Sequence, residues 1–532
     1  MISHSNAKTL PHARPPAHKR TFRSTLVEKY IADAQTRIKD PDLRRLFVNC
    51  WTSTLDTTIF AHGADMREPD LAKARPETWV ITGDINAMWL RDSANQVASL
   101  ASTRMQSDSH DAGWTSLYRL LLGAVYAQAS CILFHPYSNA FIPPTSTVQA
   151  ENSDFVRPKV PSPPNKGKDN DGGIRVWESK WELDSLASFV DLSGKLIEAT
   201  NRTDLILNPS WRKAFALVID ICRLQQRGTD EEVALLQTPW LGPEPKQTGV
   251  ESDSISAEAD KYKGRRGVYR FTRETRSGSE TRPLNGLGEP ARRCGLIKSA
   301  FRPSDDATVF QFLVPANAFM AQGLRRVAQL LEDASGLKST LSDELVRSDV
   351  TSLAKAARAL AEEVTQALWT HAIVEIANAG RKQNIFAYEV DGYGSALLAD
   401  DANLPSLLSL PYMGFVKEND PVYLATREFV LSDRNKWFFR GTAGEGIGGM
   451  HVGHGFIWPM SVIMRAMTSD DDEEILDCLG MLKNTTAGTG LMHESFHKGD
   501  ARNYTRSWFA WANGMFGQLI MRLLEERPHL LM

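Results

Sequence analysis

The chain has 532 residues, 42% of them hydrophobic and 23% charged, with a formal net charge of −3 and a pI near 6.5. This is ordinary globular composition with ample length for a large core, and the near-neutral charge argues against nucleic acid or an anionic membrane as a partner. Length alone suggests about three domains, but a toroid of many helices absorbs the same length as one unit.

The N-terminal MISHSNAKTLPHARPPAHKRTF is basic and proline-containing without an apolar core. It reads as a disordered tail over residues 1–24, not as a signal peptide. Asp40-Pro41, a cap followed by a first-turn proline, opens a helix with Leu43, Leu46, Phe47, Cys50 and Trp51 on one face. TGDINAMWLRDSANQV then gathers Asp84, Trp89, Arg91 and Asp92 in a loop. The most apolar stretch, LYRLLLGAVYAQASCILF, is interrupted by Arg119 and Gln128 and reads as too short to span a bilayer. A Pro/Gly-rich loop runs from Arg157 to Gly173, followed by GGIRVWESKWELDSL with Arg175, Trp177, Glu178, Trp181, Glu182 and Asp184. The i, i+4 spacing of the two tryptophans suggests a buried helix face as readily as a sugar platform. Trp211, Phe215, Val218 and Cys222 predict a second helix, and residues 238–267 a polar, mobile insertion. Leu353, Leu360, Val364 and Leu368 predict a third helix, and the acids from Asp470 to Glu474 a solvated helix start. Sustained β alternation is confined to pieces such as TWVITGD and GVYRFTR.

The five cysteines, Cys50, Cys131, Cys222, Cys294 and Cys478, are dispersed with no CxxC pair. That fits a reducing compartment and, with no signal peptide read, a cytoplasmic location. The sequons at Asn201, Asn484 and Asn503 are then chance matches. Helical periodicity joined by long loops predicts an all-α catalytic domain over residues 25–532, a helical toroid with its chemistry on loops at one end.

Three further segments repeat the mixture of acids, arginines and aromatics. FRPSDDATVFQFLVPANAF, from Phe301, sets Arg302, Asp305 and Asp306 ahead of an apolar run. Ser304 reads as the N-cap of a helix whose first turn carries the acids, and one of those acids can also be catalytic. YEVDGYGSALLADDANLPSLLSLPYMG holds Glu389, Asp391, Tyr393, Asp400, Asp401 and Asn403. GLMHESFHKGDARNYTRSWFAWANG holds His493, Glu494, His497, Tyr504, Arg506 and Trp508, and HVGHGFIW between them holds His451 and His454 in a tight glycine loop. Carboxylates and guanidinium groups bond vicinal hydroxyls while aromatic faces pack on the C–H face of a sugar ring, so this mixture suits carbohydrate. Arg91 and Asp92 alone can equally be a structural ion pair. HESFH matches the zinc-protease pattern H-E-x-x-H, which needs both histidines on one helix face and a third ligand. Gly488 and Gly490 before it and Lys498-Gly499-Asp500 after it leave about one helical turn, and only Glu525 or Glu526 offers a distant third ligand. No metal site or cofactor is expected.

In order along the chain, MWLRDS, FRPSDDA, EVDGYG, LPSLLSLPYMG, HVGHGFIWP and GLMHESFH…YTRSWFAWANG resemble glycoside hydrolase family 125, the exo-acting α-1,6-mannosidases. The resemblance runs from about residue 25 to the C-terminus. It implies an (α/α)6 barrel, a metal-independent, inverting mechanism and a mannose-containing oligosaccharide or glycan as substrate. It also implies a general acid in the RPSDD segment, Asp305 with Asp306 as the neighbouring alternative, and Glu494 as general base. Trp89, Arg91, Asp92, Arg302, Asp306, Asp391, His454 and Tyr504 are the residues expected to hold the terminal mannose. Such an acid must be protonated at working pH, so Asp305 is expected to have a raised pKa, with Asp306 beside it contributing charge. Glu494 must be ionised, with Arg502 or Arg506 to keep it so. An α-glucosidase-like exo-glycosidase on the same barrel, or a zinc peptidase through HESFH, are the alternative readings.

Overall fold

The computed structural model describes residues 10–63, 76–102, 112–150, 153–161, 173–237, 260–262, 264–336, 341, 343–378 and 380–532. Most of the expected insertion at 238–267 and most of the loop from Arg157 to Gly173 lie outside them.

The principal helices are α1 (Thr25–Arg37), α2 (Pro41–Trp51), α3 (Leu90–Ser102), α4 (Ala112–Phe134), α5 (Leu183–Thr200), α6 (Pro209–Leu224), α7 (Val314–Gly336) and α8 (Glu344–His371). They continue as α9 (Pro421–Val430), α10 (Pro459–Met467), α11 (Asp472–Asn484) and α12 (Ala510–Glu526). Local sequence sets their starts. Asp40 accepts hydrogen bonds from the backbone N–H of Asp42 and Leu43 with Pro41 at the first position, and Asn208-Pro209 and Asp420-Pro421 repeat the device for α6 and α9. The three apolar faces read from spacing are buried in α2, α6 and α8.

An inner ring closes through contacts of α3 with α5, α5 with α7, α10 with α12 and α12 with α3. Its sixth position, between α7 and α10, is held by the turn-rich segment 403–415. That segment is tied in by Gln322 Nε2 donating to the Gly414 carbonyl (2.5 Å) and Tyr412 Oη donating to Gln518 Oε1 (2.9 Å). Outer helices cover the ring: α2 on α12, α8 on α7, α11 on α10, with α4, α6 and α8 joined in series. This is the expected (α/α)6 plan. The stretch Leu117–Phe134 within α4 is, by length and composition, long and apolar enough to cross a bilayer, contrary to the reading of it as too short. In the fold 78% of it is buried, as a core helix packed on α6.

Short sheets interrupt the all-α plan where the candidate loops lie. β1 (Met88–Trp89), β2 (Ala140–Ile142) and β3 (Arg175–Glu178) form one, β4 (Phe312–Leu313), β5 (Glu389–Val390) and β6 (Ala396–Leu397) a second, and β7 (Phe456–Ile457), β8 (Phe496–His497) and β9 (Asp500–Tyr504) a third. Trp177 is therefore on a strand, and Trp181 precedes α5 with its indole donating to the Lys298 carbonyl. The two tryptophans do not share a helix face. Asp471 caps α11 as the acidic run suggested, but Glu474 is paired with Arg427 and Arg465, and Asp472 with Arg527 and His529.

From Leu10 onward the expected tail is held to the body. Leu10 N donates to Asp42, Ala13 N to Asn49, and Asn49 Nδ2 to the carbonyls of both Pro11 and Gly490. Arg14 bridges Asp56 and Glu28 at 2.7 Å each, with the side chains of Arg14 and Asp56 buried. Arg14→Ala leaves the Asp56 carboxylate with only Thr52 and the more distant Arg20. The expected loss is about 1–3 kcal/mol, the range for leaving one buried polar partner unmatched. A denaturation midpoint identical to the parent's would show that the arm adds nothing.

Candidate active site

The loops at one end of the ring form a small cleft lined by Trp89, Arg91, Asp92, Asp305, His451, Trp458, Glu494, Arg506 and Trp511, among others. A wider concavity elsewhere, between α9 and the start of α11, contains none of the expected site residues, and its Arg427, Arg465 and Glu474 are already paired with one another.

Arg91, in the first turn of α3, is the centre of the cleft's charge. Its guanidinium meets Glu182 at 2.8 Å, Asp92 and Asp184 at 3.2 Å and Asp305 at 3.3 Å, and it lies over the Trp511 ring at 5.4 Å. The pairing of Arg91 with Asp92 is thus real but is one contact of four. Burial pushes the carboxyls of Asp92 and Glu182 up, and that of Asp184 up to about 6, against the pull of Arg91. Burial acts the same way on Asp305, but Arg91, Lys180 and a hydrogen bond from Glu182 outweigh it and hold Asp305 below the usual carboxylate range. The raised pKa expected of Asp305 is therefore found on Asp92, Glu182 and Asp184, and by burial on Asp306, but not on Asp305 itself.

The RPSDD segment is a tight turn, not a helix start. The Asp305 N–H donates to the Arg302 carbonyl (2.9 Å) and the Arg302 N–H to the Asp306 carbonyl (2.8 Å). Ser304 Oγ donates to Asp306 instead of capping, and the next helix begins only at Val314. Asp305 closes the turn at φ +66°, a left-handed conformation uncommon for a residue with a side chain and frequent at functional sites. Arg302 holds the turn from behind. Its Nε donates to Glu389 Oε1 at 2.6 Å, and Glu389 also accepts from the N–H groups of Val309 and Phe310.

Glu494 lies in the loop before β8. Its Oε2 accepts from Thr505 Oγ1 at 2.7 Å, and Arg506 Nε stands 3.4 Å from its other oxygen and 3.4 Å from Asp84. Arg506, not the exposed Arg502 paired with Asp500, is the cation beside it. Trp508 closes over Gly83, where a Cβ would sit 2.2 Å from the indole, so only glycine, at φ +119°, fits the loop under that ring. HESFH is not helical. His493 stacks on Tyr504 with ring centroids 3.9 Å apart, and His497 lies in β8 against Phe456.

Trp89, Arg91, Asp92, Asp305 and Glu494 are thus brought together. Arg302, Asp306, Asp391, His454 and Tyr504 are not among the residues that line the cleft. Asp306 accepts from Ser304 and faces His451 at 3.9 Å. Asp391 accepts from the N–H groups of Tyr393, Gly394 and Ser395 in its own turn. His454 packs edge-on against Phe439, and its neighbour His451 takes the lining position. Trp458 and Trp511 were not singled out from sequence. With Trp89 they line the cleft, and their three indole N–H groups are buried with no acceptor among the described residues.

The profile of a family described as metal-independent α-mannosidases matches residues 40–521. The meiotically up-regulated gene 157 protein of Schizosaccharomyces pombe is 42% identical over 98% of this chain and 90% of its own length. A Streptococcus pneumoniae metal-independent α-mannosidase, solved in a non-productive complex with α-1,6-mannobiose, superposes with a TM-score of 0.72 at 28% identity, covering 95% of this chain and 100% of that one. With its helical double ring and a cleft of clustered carboxylates and tryptophans, the chain belongs to glycoside hydrolase family 125, the metal-independent α-mannosidases.

Proposed function

We propose that this α-mannosidase removes terminal, non-reducing α-1,6-linked mannose from oligosaccharides with inversion, Asp305 acting as general acid and Glu494 as general base. The observation that carries the reading is that these two carboxyls, far apart in sequence, line one small cleft with Trp89, Trp458 and Trp511. The complex of the S. pneumoniae protein with α-1,6-mannobiose supports the choice of linkage. Glu494 takes a proton from water, whose oxygen attacks C1. The C1–O bond breaks with its electron pair going to oxygen, and Asp305 protonates that oxygen. Trp89, Arg91, Asp92 and Arg506 bind the sugar, while Arg302, Asp391 and Tyr504 hold the loops.

Proton NMR of α-1,6-mannobiose hydrolysis tests this directly. β-Mannose is expected as the first-formed product, with mutarotation following. The α-1,2 and α-1,3 isomers and aryl α-glucosides are expected to turn over far more slowly. First-formed α-mannose would overturn inversion, and preferred cleavage of a glucoside would move the sugar assignment.

A further inference from the structure

Resting on the reading of Asp305 as the acid, we propose that Glu182 and Asp305 share one proton on the Arg91 guanidinium, Glu182 keeping it while the cleft is empty and Asp305 receiving it when a leaving-group oxygen seats there. Position and protonation are otherwise in conflict. Asp305 lines the cleft, whereas Glu182 does not. Of the four carboxyls on Arg91, the Asp305 side chain is 24% exposed, against 8% for Asp92 and zero for Glu182 and Asp184. Three buried carboxylates and the partly exposed Asp305 cannot all be ionised around one guanidinium without uncompensated negative charge in a dry site. Of the other nearby basic groups, Lys180 is shared with Glu178 at 3.3 Å, Arg506 serves Glu494 and Asp84, and His451 faces Asp306 at 3.9 Å. A proton must therefore reside in the cluster, and the dry member that shares the Arg91 guanidinium with the acid at the shortest distance is Glu182.

Glu182 is also built to take up charge when that proton leaves. Arg91 Nη1 and Ser185 Oγ donate to its Oε2 at 2.8 and 3.0 Å, and Asn139 Nδ2 to its Oε1 at 3.2 Å. Asp184, by contrast, has one oxygen on Arg91 and the other without a hydrogen-bond partner among the described residues. In the step, the Glu182 O–H breaks and its proton passes to Asp305. The Asp305 O–H then breaks as its proton goes to the leaving oxygen, and both carboxylates remain on Arg91. Reloading runs from solvent through the exposed edge of Asp305 back to Glu182. Glu182 touches no substrate atom and is a positioning residue for the proton.

The test compares Glu182→Gln and Asp305→Asn on α-1,6-mannobiose and on α-mannosyl fluoride, whose leaving group needs no proton. Asp305→Asn should lose about 10²–10⁴-fold on the disaccharide and far less on the fluoride. If it loses both equally, the acid assignment itself fails. With that assignment standing, Glu182→Gln should move the basic limb of the kcat/KM–pH profile down by about one unit or more, a tenfold loss on mannobiose at neutral pH, with the fluoride rate nearly unchanged. A limb left in place, or an equal loss on both substrates, overturns the shared proton. The unmutated enzyme gives a second readout that does not depend on folding of the variant. An infrared difference spectrum on binding thio-linked α-1,6-mannobiose should lose a protonated-carboxyl band that moves with ¹³C-glutamate and gain one that moves with ¹³C-aspartate. Asp400, pushed up to about 8 by burial, is common to both states and cancels. No exchange of bands would refute the transfer.

Discussion

Glu494→Gln is expected to lower kcat on α-1,6-mannobiose by about 10²–10⁴-fold, the usual contribution of a positioned base, with the fold unchanged. The swap is nearly isosteric. The amide oxygen can still accept from Thr505 Oγ1, which holds Glu494 Oε2 at 2.7 Å, so the side chain keeps its place and loses only the ability to take a proton. KM should therefore move little. Azide, an anionic nucleophile that needs no deprotonation, should restore turnover of α-mannosyl fluoride and yield the β-mannosyl azide. Near-normal turnover of the variant, or an α-azide, would remove Glu494 from the base role. Binding of the thio-linked disaccharide, measured by calorimetry, separates a lost base from a damaged cleft.

The parts of this molecule that sequence displays are those decided within a few residues. Asp40-Pro41 marks a helix start because cap and proline act locally, and Leu353 to Leu368 mark a buried face because four residues of spacing fix the side. The recurrence of Trp, Arg and acid in the loops pointed to carbohydrate for chemical reasons that need no coordinates. What sequence did not display depends on partners distant in the chain. Ser304 has every local feature of an N-cap, yet its hydroxyl is spent on Asp306 because Arg302, fixed by Glu389, pulls the segment into a turn. Glu182 and Asp184 resemble acids placed for a helix dipole, and only the arrival of α3 turns them into ligands of Arg91. His451 and His454 cannot be ranked from HVGHG, since the glycines at φ +89° decide which ring faces the cleft. Arg14 looks like part of a loose basic tail until Asp56 and Glu28 are brought to it.

The same dependence on distant partners makes Arg91→Gln a severe structural change. Breaking a buried ion pair from one side costs about 3–5 kcal/mol, and here four carboxyls lose their common cation. The pH dependence follows from the signs. Asp92, Glu182 and Asp184 are raised by burial in the native chain, Asp184 to about 6. Such groups contribute stability that is complete below their unfolded pKa and is lost as pH rises through the folded value. Asp305 has the opposite sign: held low, it contributes stability present above the ordinary carboxyl range and lost only as pH falls through its depressed value. Without Arg91 all four folded-state values move up, so the deficit against the native chain should be largest at about pH 8 and shrink toward about pH 5, where the cluster takes up protons and no longer repels itself. Denaturant melts of the two proteins at those pH values measure it directly. An equal deficit at both would mean that Arg91 acts by packing against Trp511 and not by charge, and would also remove the electrostatic basis for a proton held within the cluster.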